Sequence, residues 1–237
     1  MLLLFDIGGT NFRYYIYDEN EDILIDIYYV SNVKDVIRLF KNCIRFVNIF
    51  NKIDYIFVSI AGIVYDYKIY GCNNIELKDN NLVRYYKNIS INYINDGDVF
   101  LMGEIKYNLI SKKYNTLGLY FGTGIGCGLI INNKQVYNSE IHRDIEIFMK
   151  NNNLTENNLD KVSKFLGNEI SKLVELLNLD YIIINGYVNK FKMFPDKLTN
   201  NLNFNKYYNP EILFSGCDNP IIYGLLEFKN CILTNGW

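Results

Sequence analysis

The chain opens with blocks of apolar residues broken by short polar turns. Leu2 to Phe5, Phe12 to Tyr17 and Ile23 to Tyr29 are rich in Leu, Ile, Phe and Tyr, which predicts three β-strands. The turn DENED between the second and third carries residues a hairpin prefers. The period then changes. Val36, Ile37, Phe40, Ile44 and Val47 recur at helical spacing within residues 33–50, with Asn32 as a plausible cap. DYIFVSIAG (54–62) reads as a buried strand ending in a small-residue turn. ISINYIND (89–96) reads as another strand, ending on Asp96, with a helix from about Val99 to Ile110 behind it.

The pattern then restarts. LGLYFGTGIGCGLIINNKQVY (117–137) is again strand, glycine turn, strand, Asn-rich turn, strand. A long helix follows with Ile170, Leu173, Val174 and Leu177 on one face. After it come the strand YIIIN with Gly186, then ILFSG, then a helix opened by Pro220. The repeated order is an internal duplication of architecture, and no low-complexity linker separates the halves. Two α/β lobes around one cleft are expected.

Composition narrows the class. The chain has 237 residues, 49% hydrophobic and 21% charged, enough for a sizeable core. A formal net charge of -2 gives no electrostatic reason to expect nucleic acid or an anionic membrane as partner. The five cysteines form no C-x-x-C pair, so neither a disulfide framework nor a zinc site is suggested. MLLLF is too short for a signal-peptide core, and no apolar run approaches the ~18 residues of a membrane helix. The expectation is a soluble, cytoplasmic protein.

Two hairpin turns carry more glycine than a turn needs. FDIGGTN and FGTGIGCG both combine glycines with a threonine hydroxyl, Thr10 or Thr123. Glycine lets the backbone approach an anion and turn its N–H groups inward. One such turn reads as a plain hairpin. Two, at equivalent places in similar halves, read as phosphate seats facing each other across a cleft. Asp6, at the end of the first strand, would then orient Mg²⁺ through water, or else simply accept turn hydrogen bonds. Asp96 also has two readings. It or Asp98 caps the following helix, or Asp96 is a general base at the mouth of the cleft. Asn95 beside it would hydrogen-bond a substrate hydroxyl.

DIGGTN, SIAGIV (59–64), INDGD (94–98), FGTGIGCG and IIINGYV (182–188) occur in the order used by the ROK family of sugar kinases and repressors, and over residues 2 to 228 the chain resembles that family. The resemblance implies the two-lobed actin-like ATPase (ribonuclease H-like) fold, with duplicated βββαβα lobes. Residues 1–97 plus 219–237 would form the first lobe and 98–218 the second. Gly8, Gly9, Thr10 and Asn11 would form the first phosphate motif, and Gly122, Thr123, Gly124, Gly126 and Gly128 the second. Gly186 would lie near the adenosine, Asp96 would be the base, and Gly62, Asn74 and Asn95 would border the sugar.

The departures are specific. The family usually carries G-E-I-G-H, whose glutamate and histidine contact sugar hydroxyls. Here NSEIHRD keeps Glu140 and His142 without the glycine between them, which would displace one of the two by a residue. A lone histidine has a plain reading as a surface or satisfied residue. The cysteine-rich structural zinc segment that often follows is missing, so no structural zinc is expected. Asn185 and Tyr187 stand where the family prefers glycines, and Ala61 where it prefers proline. No helix-turn-helix segment precedes residue 2, which counts against the repressor branch.

The resemblance therefore implies a glucokinase-like enzyme that uses ATP and Mg²⁺ to phosphorylate a hexose or N-acetylhexosamine. Its partners would be sugar and ATP, with a homodimer also expected because relatives often dimerise. The alternative is a catalytically weak sugar- or nucleotide-binding protein that kept the fold. An ATPase that moves a partner ranks behind both.

Overall fold

The computed structural model describes residues 1–8, 11–18, 23–31, 36–50, 52–70, 82–205 and 209–234. Gly9, Thr10, Asn32, Asn74 and Trp237 lie outside the described residues.

The first strands form as their apolar blocks require. β1 (Leu2–Ile7) pairs antiparallel with β2 (Asn11–Asp18), which pairs antiparallel with β3 (Ile23–Ser31). α1 (Val36–Phe50) crosses over to β4 (Tyr55–Ile60), parallel to β1. A small hairpin, β5 (Ile63–Tyr65) and β6 (Lys68–Tyr70), and the short β7 (Tyr85–Tyr86) precede β8 (Ile89–Asn95). The sheet order is β3-β2-β1-β4-β8-β7. β1 is central, so both its faces are covered and it reads as an unbroken apolar run. Leu3, Phe5 and Ile7 join one core with Phe12, Phe40 and Ile44. Leu2 and Leu4 join another with Tyr15, Phe57, Val99 and Leu225.

The second sheet repeats the plan. It contains β9 (Thr116–Phe121), β10 (Ile125–Ile131), β11 (Lys134–Gln135), β12 (Tyr181–Gly186) and β13 (Glu211–Phe214), in the order β11-β10-β9-β12-β13. As in the first sheet, the opening hairpin is antiparallel and the strands added by crossover connections are parallel. α4 (Leu159–Leu177) covers this sheet with Leu166, Ile170 and Val174 buried. α3 (Arg143–Asn151) and α5 (Phe194–Asn200) are short helices that the apolar pattern did not reveal, because each has few turns in which to display a period.

Two helices join the lobes. α2 (Asp96–Tyr107) follows β8 and α6 (Pro220–Leu233) follows β13, the same position in each repeat. They cross at glycines. A Cβ on Gly103 would stand 1.8 Å from Pro220 O, and one on Gly224 would stand 1.9 Å from Val99 O. α2 also turns Val99 and Met102 to the first sheet, and Leu101 and Ile105 to the second. It starts three residues earlier than the sequence suggested, at Asp96 rather than Val99, and its cap is Asn95, not Asp96 or Asp98.

Candidate functional site

β1 and β2 meet at the first glycine turn, where the Gly8 N–H donates to Asn11 O at 2.9 Å. Just before it, Asp6 is paired in register with Arg13 on β2 and Ser59 on β4. It shares the sheet face of Leu2 and Leu4, towards α2. Arg13 Nη1 lies 3.7 Å from Asp6 Oδ2. Burial pushes the Asp6 carboxyl up to about 6, with Arg13 opposing and the Asp96 charge adding to the rise.

The second glycine turn joins β9 to β10 at residues 122–124, and the Gly122 N–H donates to Gly124 O at 2.9 Å. Thr123 and Gly124 are exposed at its tip. Gly126 and Gly128 lie beyond it, on β10, where they pack against the first turn of α2. A Cβ on Gly128 would stand 2.5 Å from Gly97 O. Gly186, at φ 104°, lies alongside Phe121, and a Cβ there would stand 2.1 Å from Phe121 O. That backbone conformation and that contact both require glycine, and they hold the end of β12 beside the second turn.

Asp96 is half-buried at the junction of β8 and α2. Asn95 fixes the junction. Its side-chain oxygen accepts from the Gly97 and Asp98 N–H groups at 2.9 and 3.2 Å, and its amide donates to Gly62 O at 2.8 Å. Gly62 is at φ 124°, so the turn after β4 needs glycine to present that carbonyl. Burial pushes Asp96 up to about 6, opposed by the Gly97 N–H and reinforced by Glu140. Asp98 is fully buried and pushed up to about 7 by burial, although it accepts from Asn138 N at 2.8 Å and Gln135 Nε2 at 3.2 Å.

Glu140 is exposed, yet its charge reaches Asp96, Asp98 and His142. His142 is 5% exposed, immediately before α3, and its Nδ1 has no hydrogen-bond partner among the described residues. Its ring bonds the Ile125 backbone. Burial lowers its pKa against the opposing pull of Glu140 and Glu146. Glu146, one turn into α3, approaches the second glycine turn, with Oε1 3.6 Å from where a Cβ on Gly124 would be. The unanticipated α3 thus seats His142 against the strand leaving that turn.

Three groups of residues had no signal in the motifs. Glu104 on α2 accepts from Asn185 Nδ2 at 2.6 Å, Ser215 Oγ at 2.5 Å and Asn108 Nδ2 at 3.0 Å. This buried network ties α2 to the ends of β12 and β13, and it gives Asn185 a structural partner. Asn138 clasps the first lobe by accepting from Val64 N at 2.9 Å and donating to Val64 O at 3.1 Å. Arg13, opposite Asp6 on β2, and Tyr120, whose ring packs on Phe100 at 5.2 Å beside the second glycine turn, form the third group. A cavity of about 240 Å³ lies beside the clasp, lined by Val64, Tyr93, Asn95, Asp98 and Asn138 among others.

Among the described residues, no group of three or more His, Cys, Asp or Glu is arranged to hold a metal ion, and no helix is long and apolar enough to cross a membrane. A hydrated Mg²⁺ needs less: one or two carboxylates plus phosphate oxygens. Asp6 fits that demand, because it is a hard oxygen donor whose pKa is raised chiefly by burial and further by the Asp96 carboxylate, so a nearby cation would favour its charged form.

The ROK family sequence model matches residues 3–139. No curated protein matches the chain. Among solved structures, it is similar to an inorganic polyphosphate/ATP-glucomannokinase from Arthrobacter sp. strain KM, at 19% identity and TM-score 0.74, over 99% of this chain and 98% of that one. It is similar to a ROK family glucokinase from Streptomyces griseus in complex with glucose and AMPPNP, at 14% identity and TM-score 0.70, over 95% and 97%. It is also similar to a ROK family transcriptional regulator, a homolog of the E. coli MLC protein, at 10% identity and TM-score 0.72, over 96% of this chain and 77% of that one. These likenesses identify the fold as the two-lobed actin-like ATPase architecture.

Proposed function

This chain belongs to the ROK family, and on that footing we propose that it is an ATP-dependent kinase for a hydroxyl of a hexose or N-acetylhexosamine. The observation that carries the reading is Asp96. It is a half-buried carboxyl at the start of α2, whose first turn packs on the strand leaving the second glycine turn, with a raised pKa and a backbone locked by Asn95. A carboxylate with a pKa near 6 is ionised at neutral pH and is a stronger proton acceptor than an ordinary aspartate.

In this reading residues 1–97 and 219–237 belong to the first lobe and 98–218 to the second, with sugar and ATP meeting between them. Gly62, Asn95, Glu140 and His142 hold the sugar. Asn95 keeps one amide hydrogen for it beyond the bond to Gly62 O. The unpartnered His142 Nδ1 is a buried group that a sugar hydroxyl would satisfy. Gly8 and Asn11 of the first turn, and Gly122, Thr123 and Gly124 of the second, flank the phosphates, and Gly186 flanks the adenosine. Mg²⁺, when bound with ATP, would offset phosphate charge, and Asp6 would hold it through water. Asp96 takes the proton of the attacking hydroxyl. The lobes exclude water from the transfer, which is achieved by positioning and electrostatics.

The test is ADP release with Mg-ATP against hexoses, N-acetylhexosamines and no sugar, with Asp96→Asn alongside. Release that needs a sugar and collapses in the variant supports the kinase. Folded protein that binds sugar or nucleotide without sugar-dependent release would put the weak binding protein first.

A further inference from the structure

The two walls of the proposed sugar site come from different lobes. One is the turn of Gly62, which leads into β5 and is tied to Asn95, the neighbour of the proposed base. The other is the segment of Glu140 and His142, between β11 and α3. Where the approaches to these walls meet, a cavity of about 240 Å³ is lined by Val64, Asn95, Asp98 and Asn138 among others. The space is not filled by packed side chains, so hydrogen bonds set the spacing of the walls there.

Asn138 makes those bonds. It stands two residues before Glu140, and its partner Val64 stands two residues after Gly62. The Val64 N–H donates to Asn138 Oδ1 at 2.9 Å, and Asn138 Nδ2 donates to Val64 O at 3.1 Å. The side-chain amide thus pairs with a peptide as a neighbouring strand would. Asparagine supplies a donor and an acceptor at once, which an ionised aspartate cannot. Its φ of 55° lies in the left-handed region, which asparagine tolerates better than most residues. Its own N–H donates to Asp98 Oδ2 at 2.8 Å, while Asp98 Oδ1 accepts from Gln135 Nε2 at 3.2 Å. One residue therefore joins the first-lobe turn, the helix that carries Asp96 and the segment leading to Glu140 and His142.

We propose that Asn138 is a positioning residue for sugar binding: anchored on Asp98, it fixes the Gly62–Val64 turn to the segment of Glu140 and His142 and so holds both walls at one spacing. This rests on the kinase reading above. Its duty is preorganisation. Walls already set lose less freedom when a sugar binds, so the benefit appears in sugar affinity. The Asp96 junction is fixed separately by the Asn95 cap, so the chemical step depends on Asn138 much less. His142 reports on the arrangement from inside the chain. It is the only histidine, 5% exposed, and it sits four residues beyond Asn138 among Glu140, Glu146 and Lys150. Burial holds its pKa down, so a wall that loosens lets that value rise towards the ordinary one.

Asn138→Gly tests this. Glycine keeps the left-handed backbone and the N–H to Asp98, and it removes only the two bonds to Val64. Asn133→Gly, the same change at φ 65° in the exposed turn between β10 and β11, is the control. The readouts are steady-state kinetics, calorimetric binding of hexoses and N-acetylhexosamines, and the NMR titration of His142. In Asn138→Gly, sugar KM and sugar Kd should rise about tenfold, the scale for losing two hydrogen bonds partly replaced by water. ATP KM and kcat should stay within about threefold, and His142 should titrate at higher pH than in the parent. The control should match the parent throughout. Unchanged sugar KM and Kd in the folded variant would overturn the proposal, as would equal rises for sugar and ATP or an unmoved His142 titration. If Asn138→Gly does not fold, hydrogen exchange of the unaltered chain decides: sugar should slow residues 62–64 and 139–142 together, and protection of one wall alone would refute the proposal. A chain that binds sugar without sugar-dependent ADP release would end the kinase reading by itself, and the Kd comparison would still judge Asn138. A chain that binds no sugar would end both.

Discussion

A Cβ on Gly97 would stand 2.3 Å from the carbonyl oxygen of Cys127. The helix that begins at Asp96 is thus seated directly on the strand that leaves the second glycine turn. The clash is with backbone, which cannot swing aside as a side chain can. The proposed base and the proposed phosphate seat are set relative to each other by a contact between two main chains.

Gly97→Ala should therefore injure both fold and catalysis. Overpacking of this kind costs on the order of 1–3 kcal/mol, which lowers Tm by several degrees in a chain of this size. Because the displaced element carries Asp96, kcat should fall more than sugar KM rises. Gly216→Ala is the control, since nothing lies within 4 Å of a Cβ there. Equal melting temperatures for the two variants would contradict the packing argument.

Asp96→Asn should keep sugar and ATP binding and lower kcat by about 10²-fold or more. In the unmodified chain, activity should rise with pH through about 6 and level off above it. The sign follows from the role: the protonated carboxyl cannot accept the hydroxyl proton. Asp6, Asp98 and Glu140 share the electrostatic field of Asp96 and will broaden that limb. The check is a pH–rate profile beside that of the variant, whose residual activity should lack the limb. A profile with no limb near pH 6 in the parent would remove Asp96 from the role.

Asn95→Ser separates two duties. Serine is as good an N-cap as asparagine, so α2 should keep its start and Tm should fall only slightly. Serine is too short to reach Gly62 O, so the turn after β4 loses a tether worth about 1 kcal/mol. Sugar KM is expected to rise severalfold with kcat less affected. An unchanged KM for every accepted sugar would detach the Gly62 turn from the sugar site.

Asp98 makes stability depend on pH. Its folded pKa, about 7, is above that of an exposed aspartate, so the folded state holds the proton more tightly than the unfolded state. This contribution is fully present below about pH 4, and it is lost as pH rises through about 7. Asp98→Asn should raise Tm by about 2–5 °C at pH 8 and have little effect near pH 4. The amide oxygen can still accept from Asn138 N, and Gln135 can turn its own amide to match. Thermal melts across that range decide it; a lower Tm for the variant at pH 8 would refute the argument.

Much of the architecture is legible in the order of residues. The apolar blocks of β1 and β2, the helical period of α1 and the restart at Leu117 each depend on residues close in the chain, whose side chains must share a face if they are to be buried. DIGGTN and FGTGIGCG were readable for the same reason, since a turn's conformation is fixed by the few residues within it. Short elements such as α3 and α5 escaped, because so few turns give no periodicity to count.

The sequence by itself determined the lobes, the duplication, the glycine turns and the two acids at strand ends. Only the tertiary structure decided what meets them. Strand register put Arg13 beside Asp6, and a one-residue slip would have sent it to the other face. Packing of α2 against the second sheet brought Glu104 to Asn185, 81 residues away, and made Gly97 and Gly128 close contacts, as its crossing with α6 did for Gly103 and Gly224. The division is physical. Periodicity and turn chemistry are local and are written in the order of residues, whereas the partners of a buried charge or a bare glycine depend on which distant surface packs against it.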